Sequence, residues 1–328
     1  MKDSRSLVVS ADHAQATLAA VLRSVLPELS WSKIKGLVTS RRVKVQGELC
    51  LDSARRLKVG DQVEILPTPE KPPTSADQIV IRHVDEHLVV VEKPAGISTV
   101  RHPLERDWSD RRRALSPTLD DLVALQLGAK SESRGRSGRG RLRIVHRLDK
   151  ETSGLLVFAR TVAAERGLGR QFHDHLVQRR YLALVPGRVS ARRIHSFLVR
   201  DRGDGRRGST TVSGLGKEAI THVEPQEVLP HHTLLWCRLE TGRTHQIRIH
   251  LAEAGHPVCG DPVYGPRPGE EKPTKAAVVP RLALHAAELG FCHPITGENL
   301  LWKMPLPQDL QVALDRLRAG GAKHGDRG

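Results

Sequence analysis

The chain has 328 residues, with 52 Lys and Arg against 37 Asp and Glu and a formal net charge of +15. That length allows two domains with a large core, and the surplus of cations favours a polyanionic partner. Cys50, Cys237, Cys259 and Cys292 lie far apart and form no CxxC pair, which argues against a zinc site or a disulfide framework and for reduced thiols. No apolar signal region and no stretch of membrane-span length occurs, so a cytoplasmic protein without membrane or metal is expected.

Residues 1–13 are polar and are expected to be flexible. From there Leu18, Leu22, Val25, Leu26 and Leu29 recur at helical spacing. Ser30 is a good N-cap for a second short helix carrying Ile34, Leu37 and Val38. Val43 and Val45 then alternate with Lys44 and Gln46, Gly47 turns the chain, and Val63 and Ile65 repeat the alternation. Residues 14–66 thus form a small α/β module. Its cations, Lys33, Lys35, Arg41, Arg42 and Lys44, fall on the second helix and the turn after it. On the residues alone this is either a solvated basic face or an RNA contact. The stretch resembles the S4-type RNA-binding domain, which implies the second. Where that domain usually shows glycine, x, valine, x, valine, asparagine, glycine, this chain has Arg41 to Gly47, and its usual helix-one arginine and aspartate are replaced by Thr17 and Ala19. Residues 67–76 are rich in proline and read as a semi-rigid linker between domains.

Ile79-Val80-Ile81 and Leu88-Val89-Val90-Val91 flank the turn-like Asp85-Glu86-His87, which is hairpin material. Lys93-Pro94-Ala95-Gly96 ends the second strand. Residues 101–143 are a long polar excursion in which Leu119, Leu122, Leu125 and Leu127 suggest one helix. Behind it Arg134, Arg136, Arg139, Arg141 and Arg143 face the single acid Glu132. Such a segment is disordered when free; it either settles along a phosphate backbone or serves only as a soluble linker.

The next stretch is crowded with charge from His146 to Gly154 and then apolar from Leu155 to Ala159. The apolar run reads as a buried strand, with Ser153 and Gly154 as turn residues before it. Asp149 therefore lies in a loop at the edge of a sheet, between Arg147 and Lys150. It is either an N-cap in a surface loop or a carboxylate that fixed cations keep ionised, as a nucleophile or general base requires. Ala164, Leu168, Phe172 and Leu176 mark a helix, and Arg179 to Val185 a strand. Gly214-Leu215-Gly216-Lys217 is not a phosphate loop, because Thr211 and Glu218 occupy two of its required positions. Thr241-Gly242 makes a turn, so Arg243 opens the next element. His245 and His250 are five apart, which does not suit a shared helical metal face; they read as structural or RNA-facing. Leu310, Leu314 and Leu317 suggest a final helix within residues 308–328.

The run HRLDKETSGLLVFAR, His146 to Arg160, resembles the signature of the RluA-type pseudouridine synthases. Lys93-Pro94-Ala95-Gly96, Arg179-Arg180-Tyr181-Leu182-Ala183-Leu184-Val185, Lys217-Glu218-Ala219-Ile220-Thr221 and Leu239 to His250 resemble further motifs of that family, with Arg179 where lysine is usual. Gly255 to Asp261 and Arg281 to Ala286 resemble its late motifs. The resemblance implies an α+β protein whose catalytic domain, residues 77–307, is built on a mixed, largely antiparallel sheet. It implies Asp149 as the catalytic residue, Arg243 pairing with it and keeping it ionised, and Tyr181 stacking beside the target uracil. Arg147 would fill the gap left by a flipped uridine, and Lys217 would contact RNA. The reaction implied is isomerisation of uridine to pseudouridine without a cofactor, by a monomer, on ribosomal RNA of the large subunit rather than transfer RNA. Two other classes compete. A glycosidase or base glycosylase would need a second carboxylate, for which only Glu151 is placed. An RNA-binding protein without catalysis would explain the charge but not the aspartate and arginine motifs.

Overall fold

The alternating valines of residues 43–65 and the long apolar runs after residue 79 build two separate sheets. The computed structural model describes residues 4–70, 72, 74–102, 105, 108, 110–128, 142–203, 205–212, 214–265 and 279–322. They divide into two units, residues 1–74 with 108–116, and 75–107 with 117–328. Arg134, Arg136, Arg139, Arg141 and the tail after residue 322 lie outside the described residues.

In the first unit β1 (Arg5–Val8), α1 (Leu18–Val25), α2 (Trp31–Thr39), β2 (Val43–Val45), β3 (Glu48–Leu49) and β4 (Gln62–Ile65) follow one another. The strands form an antiparallel sheet in the order β1-β4-β2-β3. Thr17 and Ser30 cap the two helices, accepting from the backbone N–H of Ala20 at 3.3 Å and of Lys33 at 3.4 Å. Leu18, Leu22, Leu26, Ile34, Val38, Val43, Val45, Val63 and Ile65 close one core, while Val25 is exposed. Within the stretch expected to be flexible, residues 5–8 form a strand. Residues 5–8 pair with β4, because Leu7 and the buried Val9 reach the core and β4 offers a free edge. The proline-rich stretch also begins attached: Glu70 N–H donates to Arg41 O at 2.8 Å and its carboxylate pairs with Lys44 at 2.9 Å.

The second unit contains β5 (Val80–Val84), β6 (Leu88–Lys93), α4 (Leu119–Gln126), β7 (Arg143–Ile144), β8 (Ser153–Ala159), α5 (Val162–His173), β9 (Gln178–Pro186), β10 (Arg192–Val199), β11 (Gly208–Thr210), β12 (Lys217–Leu229), β13 (His232–Leu239), α6 (Gln246–Glu253), β14 (Leu284–Cys292), β15 (Asn299–Lys303) and α7 (Gln308–Ala322); the short α3 (Asp110–Leu115) groups with the first unit. One sheet runs β11-β10-β12-β13-β9-β14-β8-β6-β5, with β15 on β14 and β7 on β8. Among the described residues only the β8–β14 pair is parallel. Strand β8 is buried at all seven residues. Leu155 and Val157 join the cluster under α5, and Leu156 and Phe158 join the larger cluster on the other face. A strand covered on both faces needs an unbroken apolar run, which is what the sequence carries there.

Ser153 and Gly154 belong to β8 rather than to a turn before it. The turn closes earlier, where Thr152 N–H donates to Asp149 O at 3.1 Å. Gly154 has φ +125, and a Cβ there would lie 2.3 Å from Ala286 O. The glycine is required by the close approach of β14, not by a change of direction. Among the described residues no helix is long and apolar enough to cross a membrane.

Candidate active site

Asp149 sits in the loop between β7 and β8, and that loop is held from below by residues sixty positions earlier in the chain. Lys93 is 1 % exposed, and its ammonium donates to Pro94 O at 2.9 Å, Lys150 O at 2.9 Å and Thr152 O at 2.7 Å. Burial pushes the Lys93 pKa down to about 7, against the pull of Glu151 and Asp149; its three N–H groups are all engaged. Thr99 Oγ1 donates to Leu148 O at 2.8 Å and accepts from Leu148 N–H at 3.2 Å. Gly96 N–H donates to Lys150 O at 2.8 Å. The Lys93–Gly96 motif is therefore the cradle of the Asp149 loop.

The Asp149 carboxylate opens on a cavity of about 560 Å³ between the β7–β8 loop, β9, α5 and the turn before α6. Its side chain is 17 % exposed. Arg248 Nη1 lies 3.4 Å from Asp149 Oδ2, and His245 Nε2 lies 4.0 Å from Oδ1. Arg243, expected to make the first of these contacts, does not. It is exposed on the cavity wall, and its Nε donates to Glu218 O at 2.8 Å. The physical reason is where the helix begins. Residues 241–245 form a turn that Gln246 pins, accepting from Thr241 Oγ1 at 2.8 Å and Arg243 N–H at 2.9 Å and donating to Ile220 O at 3.0 Å. Helix α6 starts only at Gln246, and Arg248 is the arginine on its buried side.

Arg248 is in turn fixed by Asp261, which the sequence did not single out for the site. Nε and Nη2 donate to the two Asp261 oxygens at 2.7 and 2.8 Å, and the guanidinium carbon lies 5.1 Å from the Tyr264 ring centroid. Asp261 Oδ1 also accepts from Val263 N–H at 2.8 Å and Tyr264 N–H at 3.0 Å. Burial would raise the Asp261 pKa, but Arg248 and these N–H groups more than offset it and hold the carboxyl below its usual range. His245 adopts φ 60 at the helix start, and its Nδ1 lies 2.9 Å from the Tyr264 hydroxyl. His250 is buried between Ser196 Oγ and Thr221 Oγ1, both at 2.9 Å, so it is structural while His245 faces the site.

Of the other expected residues, Tyr181 is 7 % exposed and lines the cavity, with its pKa raised by burial. Arg147 is exposed and also lines it. Lys217 is exposed at the start of β12 and is not part of the cavity wall. Lys33 and Lys35 are exposed on α2, whereas Arg42 Nε donates to Leu66 O at 3.0 Å and Arg41 Nε to Glu70 O at 3.1 Å. Arg143, in β7, is paired with Glu165 at 2.8 Å. Among the described residues no group of three or more His, Cys, Asp or Glu could hold a metal ion. A shielded carboxylate backed by a clamped arginine, next to a buried tyrosine, suits chemistry on a bound ring.

Residues 87–253 match the family model described as RNA pseudouridylate synthase. The "Ribosomal large subunit pseudouridine synthase D" of Zymomonas mobilis is 38 % identical over 306 residues, covering 92 % of this chain and 93 % of that one. The chain belongs to the RluA-type RNA pseudouridylate synthase family. The synthase of the same name from Escherichia coli K12 is 34 % identical over 328 residues, 97 % of this chain and 95 % of the other. The protein of Bacillus subtilis called "Uncharacterized RNA pseudouridine synthase YlyB" is 36 % identical over 301 residues, 90 % and 92 % of the two chains. The solved structure of "Human RNA Pseudouridylate Synthase Domain Containing 1" superposes with a TM-score of 0.55 at 25 % identity, over 79 % of this chain and all of that one. This pseudouridine synthase carries Asp149, Tyr181, Arg243 and Arg248 inside the matched segment, and Asp261 beyond its end. Its fold is the expected α+β one with a mixed, mostly antiparallel sheet.

Proposed function

We propose that this synthase converts uridines of large-subunit ribosomal RNA to pseudouridine, with Asp149 as the carboxylate that reacts at the ribose and with no cofactor. The observation that carries the reading is Asp149 itself. Among the described residues it is the one carboxylate lining the cavity, on a loop held at Leu148, Lys150 and Thr152, with Arg248 against one oxygen. The reaction breaks the C1′–N1 bond and forms C1′–C5; the proton lost from C5 balances the one gained at N1. Nothing is oxidised, so no redox partner is called for. A volume of about 560 Å³ falls in the range of small-ligand pockets, roughly 300–1,000 Å³, and suits one nucleotide turned out of its stack. Tyr181 stacks on its base. Arg147 occupies the place that base left, offsetting an unstacking cost of about a few kcal/mol. Arg243, exposed on the cavity wall, and Lys217, exposed at the start of β12, meet the RNA backbone.

The choice of ribosomal over transfer RNA rests on the names of the Zymomonas mobilis and Escherichia coli relatives and on the S4-type likeness of the first unit, whose Lys33 and Lys35 are free to face RNA. The test is Asp149→Asn, assayed on ribosomal and transfer RNA transcripts with pseudouridine mapping. The variant should keep its fold and its RNA affinity and lose more than about 100-fold in rate. Free uracil in the wild-type reaction would point to a glycosylase. Modification of transfer RNA alone would overturn the substrate, and a rate within tenfold of wild type, about 1.4 kcal/mol in barrier, would overturn the role of Asp149.

A further inference from the structure

Beside Tyr181 in β9 stands Arg179, which neither the catalytic reading nor the fold uses up. It is 7 % exposed and lines the same cavity. Among the described residues no carboxylate lies within ion-pair distance of it. Its Nη2 donates to Glu240 O at 3.3 Å, its guanidinium carbon lies 5.4 Å from the Phe172 ring centroid, and its Nε is buried without a hydrogen-bond partner. Phe172 is itself stacked on His146 with centroids 4.5 Å apart, so the guanidinium lies against a fixed surface. Nη1 lies over Gly242, 2.8 Å from where a Cβ would stand; only glycine leaves the guanidinium this room. A cation buried without an anion is costly. Desolvation indeed lowers the pKa of Arg179, opposed by Tyr181. Asp149, the one carboxylate lining the cavity among the described residues, already faces Arg248 and His245.

Such a group awaits an anion brought by the substrate, and the anions of RNA are its phosphodiesters. We propose that Arg179 binds the phosphodiester adjoining the uridine held in the cavity. The inference rests on the cavity being the uridine site proposed above, and it assigns the neighbouring subsite. Arginine suits this position because its planar fork can keep Glu240 O with one nitrogen while presenting others to an oxyanion. Uracil oxygens, being neutral, would leave the charge uncompensated.

The experiment measures binding to the Asp149→Asn protein, which holds RNA without needing to convert it. The probes are the trinucleotide UpUpU and its two forms in which one or the other phosphodiester is a neutral methylphosphonate. One neutral form should bind about tenfold more weakly than UpUpU when Arg179 is present. In Arg179→Met that penalty should fall below about twofold, and in Arg179→Lys most of it should return with the charge. On a ribosomal RNA transcript, Arg179→Met should lower the slope of log affinity against log salt by about one. A residue that only supports the fold would weaken all three trinucleotides alike and leave the slope unchanged, and that result would overturn the proposal. So would a linkage penalty that persists in Arg179→Met. Should the trinucleotides bind too weakly to rank, the salt slope decides. Pseudouridine appearing in RNA recovered from the Asp149→Asn protein would instead count against the catalytic reading, with the Arg179 comparison still legible.

Discussion

Replacing Asp261 with asparagine tests whether Arg248 has to be held in place to serve Asp149. The carboxamide oxygen can keep the Oδ1 contacts with Val263 N–H, Tyr264 N–H and Arg248 Nη2. The amide nitrogen then faces Arg248 Nε–H, so the 2.7 Å bond becomes two opposed donors. Both partners are buried, with side chains 4 % and 0 % exposed. Breaking a buried pair in this way costs about 3–5 kcal/mol; Asp149 remains as a partial counter-charge at 3.4 Å, which favours the lower end. For a unit of this size 3 kcal/mol corresponds to a fall of about 6–12 °C in melting temperature. The guanidinium, released on one side, no longer presents Nη1 to Asp149, and a displacement near 1 Å costs about 100-fold in turnover. Asp261 does not line the cavity, so affinity for RNA should not change. Single-turnover pseudouridine formation, filter binding and calorimetry read these three quantities separately. Wild-type turnover in a variant that has lost the expected stability would refute the positioning role of Asp261 and leave it a purely structural partner.

Two further outcomes follow from the packing. Gly154→Ala puts a Cβ 2.3 Å from Ala286 O at a φ of +125, so β8 and β14 must separate; a loss of roughly 3 kcal/mol or more, or insoluble protein, is expected, and a normal melting curve would show the strands adapt freely. His146 accepts from Val157 N–H through Nε2 at 3.1 Å, and burial first, then Arg179, push its pKa down to about 3 from 6.5. As pH falls through 6.5 the unfolded chain takes up a proton that the folded one refuses, so stability declines with acidity, by about 2–3 kcal/mol at pH 4.5. The unfolding free-energy gap between wild type and His146→Gln should shrink by that amount between pH 7 and 4.5. A constant gap would mean that His146 is not held neutral.

The elements that the sequence made legible are those set by local pattern. The unbroken run Leu155–Ala159, the hairpin around Asp85 and the capped helix after Ser30 all stand where periodicity and capping put them. The errors arise where distant residues decide. Arg243 and Arg248 sit in one motif with equal claim to Asp149, and only the turn pinned by Gln246, which delays the helix, buries one and exposes the other. Asp261 lies thirteen positions beyond Arg248, with no periodicity linking them. The strand at residues 5–8 has little apolar pattern of its own and forms because β4 offers a partner. At Arg41 and Gln46 the chain adopts φ 62 and 55, the left-handed region. Neither residue is glycine, so the backbone holds that shape at some cost in strain.

A pseudouridine synthase must present a carboxylate to a polyanion, and the cavity is built around that conflict. Arg147, Arg179, Arg243 and Arg248 line the same cavity as Asp149, and of these arginines Arg248 is the one close enough to pair with it. Arg248 cannot collapse fully onto Asp149, because Asp261 holds it by two shorter bonds. One Asp149 oxygen is thereby steadied, and the other, 4.0 Å from His245, is left without a direct bond. The remaining arginines supply positive potential without pairing with Asp149, which lets phosphates approach a negative charge. A free cation in place of the clamped one would close on Asp149 as a tight pair and block it. Under the role proposed for Asp149, the clamp at Asp261 is what lets one site attract RNA and still keep its carboxylate available.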